Sequence, residues 1–597
     1  MKNYFVILYL LTLSYCSLGQ NTKFKGIVTE KSSNPIFAVS VYSESSGKTV
    51  MTDIDGKFEI EAKLNTKLVF KYLGYQEKKV QITGDSILKI VLEQTEEEVS
   101  EVVVMSYESR KMSNDMGSMS SMKSVYMNPS VEEYSGINEN GFKTTTSSPL
   151  STFAIDVDRA SYSNVRRFIN LGQKPPQDAV RVEEMINYFE YEYESPKGND
   201  PVSIYSEFAD CPWQSKHKLL MVGLQAKKIP TDNLPPSNLV FLLDVSGSMS
   251  EENKLPLLKS AFKLLVNNLR SKDKVAIVVY AGAAGVVLQS TSGDQKSKII
   301  DALEQLQAGG STAGGEGIKL AYDIAIQNFV KDGNNRIILA TDGDFNVGVS
   351  NNNDLETLIE EKRKSGVFLT CLGFGMGNYK DNKMETLADK GNGNYAYIDD
   401  IQEANKTLVT EFGGTLFTVA KDVKVQIEFN PNFVQAYRLV GYENRMLNNE
   451  DFKDDTKDGG EMGAGHTVTA LYEIIPVGIK SDFVKSVDSL KYQTVQTTPN
   501  NESNGELCNV KIRYKQPDGS ESKELVKPVK YQAKSISSAG NNFKFAASVA
   551  MTGMLLRNSD YKQTATYESV IKLASESKSF DPEGYRAEFI RMVKTLK

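Results

Sequence analysis

The stretch "LVFLLDVSGSMS" (239–250) joins an apolar strand directly to an aspartate and a cluster of hydroxyl groups. The uncharged residues before Asp244 are typical of a strand that is buried on both faces of a sheet. Ser246, Ser248 and Ser250 follow at alternate positions. By themselves, this carboxylate and these hydroxyls fit a nucleophile, a metal site, a phosphate site or the N-terminal cap of a helix. The surrounding sequence decides between these possibilities.

From 237 to about 415, apolar strands alternate with helices that carry one apolar face. The segment "NKLPLLKSAFKLLVNNLR" has its leucine and phenylalanine side chains three and four residues apart, which predicts an amphipathic helix. Next, "KVAIVVYAG" and "GVVLQST" predict a hairpin, and "NRIILATDG" and "VFLTCLGFG" predict further buried strands. The pattern predicts a Rossmann-like, doubly wound and mostly parallel sheet with an antiparallel edge strand.

Oxygen-bearing side chains follow several of these strands. Asp244 and Asp342 each come directly after an apolar strand, and the glycine-rich loop "AGGSTAGGEG" carries Ser311 and Thr312 ahead of a helix. Since the carboxyl ends of parallel strands meet at one edge of the sheet, the three loops are expected to converge there. Carboxylate and hydroxyl oxygens suit Mg²⁺, and Mn²⁺ could replace it.

The pattern D-x-S-x-S at Asp244, Ser246 and Ser248, with Thr312 and the aspartate of "TDG" at Asp342, resembles the metal-ion-dependent adhesion site of von Willebrand factor type A (vWA) domains. All five positions match that motif. The resemblance implies direct Mg²⁺ ligation by the hydroxyls, and at least one aspartate acting through water. It also implies an open coordination position that takes an acidic side chain of a partner protein.

The resemblance places a vWA domain at 236–415, and other units are expected around it. Residues 148–235 predict an α+β segment, 416–535 a β-rich domain, and 536–597 a helical segment. The stretches "SPLSTFAIDVDRASYSNVRRFINLGQKPP" and "YENRMLNNEDFKDDTKDGGEMGAGHTVTALYEI" resemble a bacterial exported family. In that family an A domain lies between a dedicated N-terminal segment and a C-terminal domain of uncharacterised function.

The N-terminal region predicts a second, β-rich unit. Residues 20–95 alternate with the period of strands, which predicts a β-sandwich. Here "TDIDGKFEI" followed by "FKYLGYQEKKV" resembles the carboxypeptidase-regulatory-like domain, a transthyretin-like sandwich. Residues 96–147 contain a Ser-, Met- and Asn-rich stretch with few aliphatic side chains, and they predict a flexible linker.

The first residues predict export. Residues 1–19 combine one basic residue, a short apolar run and small residues, which is the order of a secretory signal peptide. Cleavage is expected before Gln20, and the alternative is lipidation at Cys16 of "LSYC", where Tyr15 is bulky for such a site. The apolar run is shorter than the about 18 residues of a membrane span, and no other segment of the sequence is expected to span a bilayer, so no transmembrane helix is expected after signal removal. We expect a periplasmic, outer-membrane or cell-surface protein.

Composition excludes several classes of function. The formal net charge is −7 and no stripe of Lys and Arg is evident, which argues against nucleic-acid binding. The two histidines, His217 and His466, nearly exclude a His-rich zinc site and leave little room for a Ser-His-Asp triad. Cys371 lies in an apolar run and predicts a buried thiol, whereas Cys211 and Cys508 could pair in an oxidising compartment.

Three other motifs have simpler interpretations. Asp156 and Asp158 of "FAIDVDRAS" have the D-x-D spacing of phosphoryl-transfer hydrolases, but no α/β unit follows them. The stretch "GFGMGN" follows a late strand, which favours a tight turn over a dinucleotide loop. The stretch "DDTKDGGE" resembles part of a calcium loop, yet its twelfth position would be Gly465, which favours a solvated acidic turn.

The sequence therefore predicts a non-enzymatic, metal-dependent binding protein of the cell envelope. Its partner would be an exported protein that presents a carboxylate to the metal. The alternative is an accessory or recruiting subunit of an envelope enzyme or assembly complex.

Overall fold

A computed structural model of the chain describes the following residues: 22–31, 35–36, 39–43, 45–46, 48–53, 55–71, 75–76, 78–83, 87–93, 132–230, 234–310, 314–343, 352–377, 379–411, 417–457, 459–484, 505–517, 519 and 521–597. The predicted signal peptide, Cys16, most of the predicted linker, and Thr312 of the predicted metal site lie outside the described residues.

The N-terminal unit consists of two small sheets around a core of their own. Its strands are β1 Thr22–Glu30, β2 Ser40–Ser43, β3 Thr49–Met51, β4 Lys57–Ala62, β5 Lys67–Lys71, β6 Lys78–Gln81 and β7 Leu88–Leu92. One sheet has the order β4-β1-β7 and the other the order β3-β2-β5-β6. Alternate side chains of β1 and β4, such as Phe24, Val28, Phe58 and Ile60, are buried in the shared core. The predicted β-rich N-terminal domain is therefore confirmed.

The next segment contributes both strands and helices. Its elements are β8 Lys143–Thr144, β9 Leu150–Ala154, α1 Ala160–Asn170, α2 Val182–Asn187, β10 Val202–Asp210 and β11 Lys218–Ala226.

The central α/β domain follows. Its elements are β12 Ser237–Asp244, α3 Leu255–Asn267, β13 Lys274–Tyr280, β14 Ala284–Ser292, α4 Lys296–Glu304, α5 Gly314–Gln327, β15 Asn334–Thr341, α6 Asn352–Arg363, β16 Val367–Phe374, α7 Asp381–Lys390, β17 Tyr395–Ile398 and α8 Ile401–Asn405. The sheet order is β14-β13-β12-β15-β16-β17. Its neighbours pair in parallel except β13 and β14, which form the predicted antiparallel hairpin.

Helices cover both faces of this sheet. In β12, Phe241 and Leu243 pack on the side of α3 and α4, whereas Val240 and Leu242 pack on the side of α5 and α7. Such burial on both faces explains the uninterrupted apolar run of "LVFLL". The predicted doubly wound sheet is confirmed.

The C-terminal part returns to strands and then to helices. Its elements are β18 Thr418–Phe429, β19 Val434–Val440, β20 Met446–Leu447, β21 Met462–Gly463, β22 Thr467–Pro476, β23 Glu506–Lys515, β24 Ser522–Lys530, α9 Asn541–Arg557, α10 Tyr567–Glu576 and α11 Tyr585–Thr595. Short 3₁₀ or π turns occur at Gln177–Ala179, Gly247–Ser250, Lys406–Thr410, Glu443–Arg445, Glu450–Phe452, Ile536–Ser538 and Asp560–Lys562.

Strands from the two sides of the α/β domain pair with one another. One sheet has the order β10-β11-β22-β19-β8 and the other the order β20-β9-β18-β23-β24, with β21 on β18. The division into separate units at 148–235 and 416–535 therefore does not hold, since their strands share both sheets. Strand-forming patterns are local, and they do not reveal partners on the far side of an inserted domain.

The sheet that contains β11 is buried on both faces. Leu220 and Val222 face the other sheet, whereas Leu219 and Met221 face the helices. The helical layer joins α1 and α2 to α9, α10 and α11 in one hydrophobic core. The predicted C-terminal helical segment is thus part of a layer that the N-terminal segment helps to build.

A close approach in β11 gives a test of this packing. A Cβ atom at Gly223 would lie 2.5 Å from Cζ of Tyr193. That ring cannot easily move, because its hydroxyl is 2.8 Å from the Thr469 hydroxyl and it stacks on Tyr205. We expect Gly223→Ala to lower the free energy of unfolding by about 1–3 kcal/mol, because of overpacking. Urea denaturation followed by tryptophan fluorescence measures the loss.

The matched control for this substitution is Gly136→Ala. A Cβ atom at Gly136 would have no heavy atom within 4 Å. The control should unfold at the wild-type urea concentration, and an equal midpoint for Gly223→Ala would contradict the packing described above.

The predicted linker ends earlier than 147, because residues 132–147 are ordered by long-range contacts. The Glu132 carboxylate accepts two hydrogen bonds of 2.8 Å from Arg167. The Thr145 hydroxyl donates to the carbonyl of Val434 at 2.6 Å, and β8 pairs with β19. The sequence prediction was wrong here, since this segment has no period of its own and depends on distant partners.

The three cysteines that the structure describes, Cys211, Cys371 and Cys508, are buried as free thiols. Cys211 belongs to the helical core, whereas Cys508 belongs to the core between the two sheets. The pairing considered from the sequence is not formed. Over the described part of the chain, the structure contains no helix with the length and hydropathy to cross a membrane.

Candidate metal site

Asp244 ends β12 at the carboxyl edge of the central sheet. Its carboxylate is fully buried and accepts a hydrogen bond from the backbone N–H of Ser246 at 2.9 Å. The other carboxylate oxygen accepts from the hydroxyls of Thr341 at 2.8 Å and Tyr280 at 3.2 Å. Burial raises the pKa of Asp244 to about 6, and the bonds from Ser246 and Thr341 oppose this shift. The neighbouring strands therefore hold this carboxylate in one orientation.

Ser246 and Ser248 lie on the turn that follows. Their hydroxyl oxygens are 3.0 Å apart, and Ser246 is buried while Ser248 is exposed. Ser250 lies at the end of the short helix Gly247–Ser250 and is exposed. Two hydroxyl donors thus stand side by side next to the buried carboxylate.

The second loop approaches this turn through its backbone. The N–H of Gly309 donates to the carbonyl of Val245 at 2.8 Å, and the N–H of Gly247 donates to the carbonyl of Gly310 at 3.0 Å. These bonds hold the chain against the serine turn two residues before Thr312. Thr312 itself lies outside the described residues, and its part in the site stays a prediction.

Asp342 follows β15 and is buried at the same sheet edge. The adjacent Thr341 is the residue that hydrogen-bonds to Asp244, so the two aspartates lie on neighbouring strand ends. The ammonium group of Lys254 is 3.1 Å from one carboxylate oxygen of Asp342. Gly343 has a φ of +88°, and a Cβ atom there would lie 2.7 Å from the backbone nitrogen of Lys380.

The motif does not include three residues that shape the site. Tyr280 lies opposite Asp244 in the parallel register of β12 and β13. Alignment of the ends of these two predicted strands would have placed its hydroxyl near Asp244. Thr341 has a weaker signal, because it differs from the other residues of an apolar strand only by its hydroxyl. Lys254 is distant in sequence from Asp342, and only the tertiary structure brings them together.

The donor set fits a hard cation. Among the described residues, no group of three or more His, Cys, Asp or Glu side chains is placed to hold a metal ion. The edge of the sheet offers instead two carboxylates and two serine hydroxyls from separate loops. Such oxygen donors, with room left for water, are what Mg²⁺ prefers.

Two of the other motifs have structural roles. Asp158 accepts hydrogen bonds from the backbone N–H of Tyr395 at 2.9 Å and from Arg445 at 3.2 Å. In "GFGMGN", Gly375 and Gly377 have positive φ angles of +77° and +96°, as in a tight turn. The hydrogen bonds of Asp158 and the turn at Gly375 and Gly377 explain these residues without a phosphate or nucleotide ligand.

Family models match four parts of the chain. They are the CarboxypepD_reg-like domain at 24–104, von Willebrand factor at 128–221, the von Willebrand factor type A domain at 238–411, and "Uncharacterized protein YfbK, C-terminal" at 414–597. "Uncharacterized protein YfbK" of Escherichia coli (strain K12) is 44% identical over 473 residues, which covers 78% of this chain and 81% of that protein. The chain belongs to the YfbK family. The predicted vWA domain and carboxypeptidase-regulatory-like domain are confirmed within it.

Two further proteins are similar to parts of this YfbK family member. "Uncharacterized protein sll0103" of Synechocystis sp. (strain ATCC 27184 / PCC 6803 / Kazusa) is 29% identical over 197 residues, covering 32% of this chain and 45% of that protein. The solved structure "von Willebrand factor type A from Catenulispora acidiphila" is 16% identical with a TM-score of 0.37, covering 67% of this chain and 91% of that one.

Proposed function

We propose that the vWA domain of this YfbK family member binds Mg²⁺ through Asp244, Ser246, Ser248, Thr312 and Asp342, and through Mg²⁺ an acidic side chain of a partner protein. The observation that carries this proposal is the meeting of Asp244, Asp342 and two serine hydroxyls at one edge of the sheet. Mn²⁺ would serve as a substitute, because it accepts the same donors.

The surroundings of the carboxylates support cation binding. Asp244 is buried, and burial raises its pKa, so its charged form lacks the stabilisation that water would give. A bound cation would restore that stabilisation. When bound, Mg²⁺ would supply a Lewis-acidic centre held partly by neutral hydroxyls, which leaves it attractive to a carboxylate from outside.

The site favours binding over catalysis. The Ser246 hydroxyl lies beside Ser248, and neither histidine belongs to the loops of the site. The Nδ1 atom of His217 is 2.6 Å from Glu473, a buried carboxylate of β22 in the sheet next to the helices. A serine nucleophile of the Ser-His-Asp type needs a histidine base within hydrogen-bond distance, and His217 lies in another sheet.

We also infer that the partner is an exported protein. The predicted signal peptide of 1–19 would place the chain in the periplasm, on the outer membrane or at the cell surface. A partner that presents a carboxylate there would make the chain an adhesion or assembly protein of the envelope. Recruitment of an envelope enzyme or assembly complex is the same binding event with a different partner.

Calorimetry tests the metal proposal on the full chain. MgCl₂ titrated into EDTA-treated, dialysed protein should give saturable binding of one ion per chain. The chain is then immobilised and exposed to envelope extract with Mg²⁺ or with EDTA. A partner retained only with Mg²⁺ supports the second half of the proposal. Absence of Mg²⁺ binding would overturn the first half, and equal retention in EDTA would overturn the second.

A further inference from the structure

Lys254 places a buried positive charge beside the candidate metal site. Its side chain is 6% exposed, and its ammonium group is 3.1 Å from a carboxylate oxygen of Asp342, which is 0% exposed. The carboxylate of Glu251 is farther away, at 3.7 Å, and largely exposed. The buried partner of this lysine is therefore a carboxylate of the metal motif.

Lysine is an unfavourable residue at this position of the chain. Lys254 is the N-cap of α3, where Ser, Thr, Asp and Asn are preferred because their side chains accept hydrogen bonds from the first N–H groups. The lysine side chain makes no such cap, and a cationic residue at a helix N-terminus is unfavourable toward the helix dipole. A residue that breaks a local rule without local gain points to a role elsewhere.

A turn of the fold is shaped around the lysine. A Cβ atom at Gly375 would lie 2.4 Å from Cε and 2.7 Å from Cγ of Lys254. The hydroxyl of Tyr397 donates to the carbonyl of Gly375 and holds the turn in place. The first part of "GFGMGN" therefore leaves the space through which the lysine reaches Asp342.

We propose that Lys254 is an internal cation of the metal site that weakens Mg²⁺ binding and strengthens the attraction for a partner carboxylate. This inference rests on the proposed function. The ammonium group occupies one oxygen of Asp342, so less negative charge remains for the metal. Two carboxylates, one ammonium group and Mg²⁺ together keep one net positive charge, whereas without the lysine they would be neutral. Like charges at short range in a buried site repel strongly.

The test is Lys254→Met in the full chain. Methionine keeps an unbranched stem against Gly375 and removes the charge. We expect the Kd for Mg²⁺, measured by calorimetry, to fall at least about tenfold, because the repulsion between Lys254 and the metal is removed. A second readout is thermal unfolding. Metal-free Lys254→Met should unfold at a lower temperature than wild type, and Mg²⁺ should raise its Tm by more than it raises the wild-type Tm.

Lys263→Met is the matched control. Lys263 lies on the same helix and also pairs with a carboxylate, that of Glu304, away from the site. This variant should bind Mg²⁺ with the wild-type Kd. If Lys254→Met does not fold, Lys254→Gln replaces it under the same criterion, because glutamine is neutral and still able to donate to Asp342.

The outcomes separate the two proposals. Mg²⁺ binding to wild type with an equal or higher Kd in Lys254→Met would overturn the role of the lysine and leave the metal site standing. Binding to Lys254→Met alone would overturn the proposed function of the wild-type chain, and with it the role of the lysine in attracting a partner carboxylate. Absence of Mg²⁺ binding in both proteins would overturn both proposals.

Discussion

Asp244→Asn is expected to weaken Mg²⁺ binding at least about 100-fold while the chain stays folded. Asparagine keeps an oxygen for the Ser246 N–H and a polar group near the hydroxyls of Thr341 and Tyr280. What it removes is the negative charge that the proposed metal needs at the end of β12. Calorimetry of the full chain measures the change in Kd.

Ser250→Ala is the control for Asp244→Asn. Ser250 follows the motif on the same turn but is exposed and outside the predicted ligand set. Its replacement should leave the Kd for Mg²⁺ unchanged. Equal Mg²⁺ affinity of Asp244→Asn and wild type would show that the ion binds elsewhere.

Arg166→Met is expected to lower the free energy of unfolding of the helical layer by about 3–5 kcal/mol, because it leaves buried carboxylates without a partner. Arg166 of α1 is 1% exposed. Its guanidinium donates to Asp399 at 2.9 Å, to Glu403 of α8 at 2.8 Å and to Glu588 of α11 at 3.0 Å. One side chain thus joins the segment before the vWA domain, the end of that domain and the C-terminal helices.

The chain offers a suitable probe for this unfolding. Trp213 is the single tryptophan and is buried in the same core as Tyr162 and Tyr188, on which Arg166 packs. Urea denaturation followed by its fluorescence reports on the helical layer. Arg591→Met, a change at an exposed arginine of α11, is the control and should leave the midpoint unchanged.

The loss in Arg166→Met should depend on pH. Burial raises the pKa of Asp399 to about 7, and Arg166 opposes that shift. Without the arginine, the folded-state pKa rises further above the unfolded value of about 3.9, so folding favours the protonated form. Stability is then lost as pH rises between those two values, and the loss should be smaller at about pH 5 than at about pH 8.

A compensating variant separates charge from packing. Arg166→Met combined with Asp399→Asn and Glu403→Gln removes the two most deeply buried of the three unpaired charges and should recover most of the lost stability. If the triple variant is as unstable as Arg166→Met alone, lost packing rather than uncompensated charge explains the effect.

Local patterns in the sequence determined the type of each element and the candidate ligands. The apolar run before Asp244 predicts a buried strand. Apolar side chains spaced three and four residues apart predict amphipathic helices that cover both faces of the sheet. The aspartates follow strand ends, and parallel strands bring their carboxyl ends together. The sequence therefore predicts that Asp244, Ser246, Ser248 and Asp342 lie at one edge of the sheet.

The tertiary structure alone decided which distant segments share a core. Strand propensity does not predict that β9 pairs with β18 or that β11 pairs with β22, because the whole vWA domain lies between the two strands of each pair. The same holds for side chains: Lys254 meets Asp342 across 88 residues, and Arg166 meets Glu403 across 237. Such contacts depend on strand register and on burial in the folded chain, and the local hydrophobic periodicity of the sequence predicts neither of them.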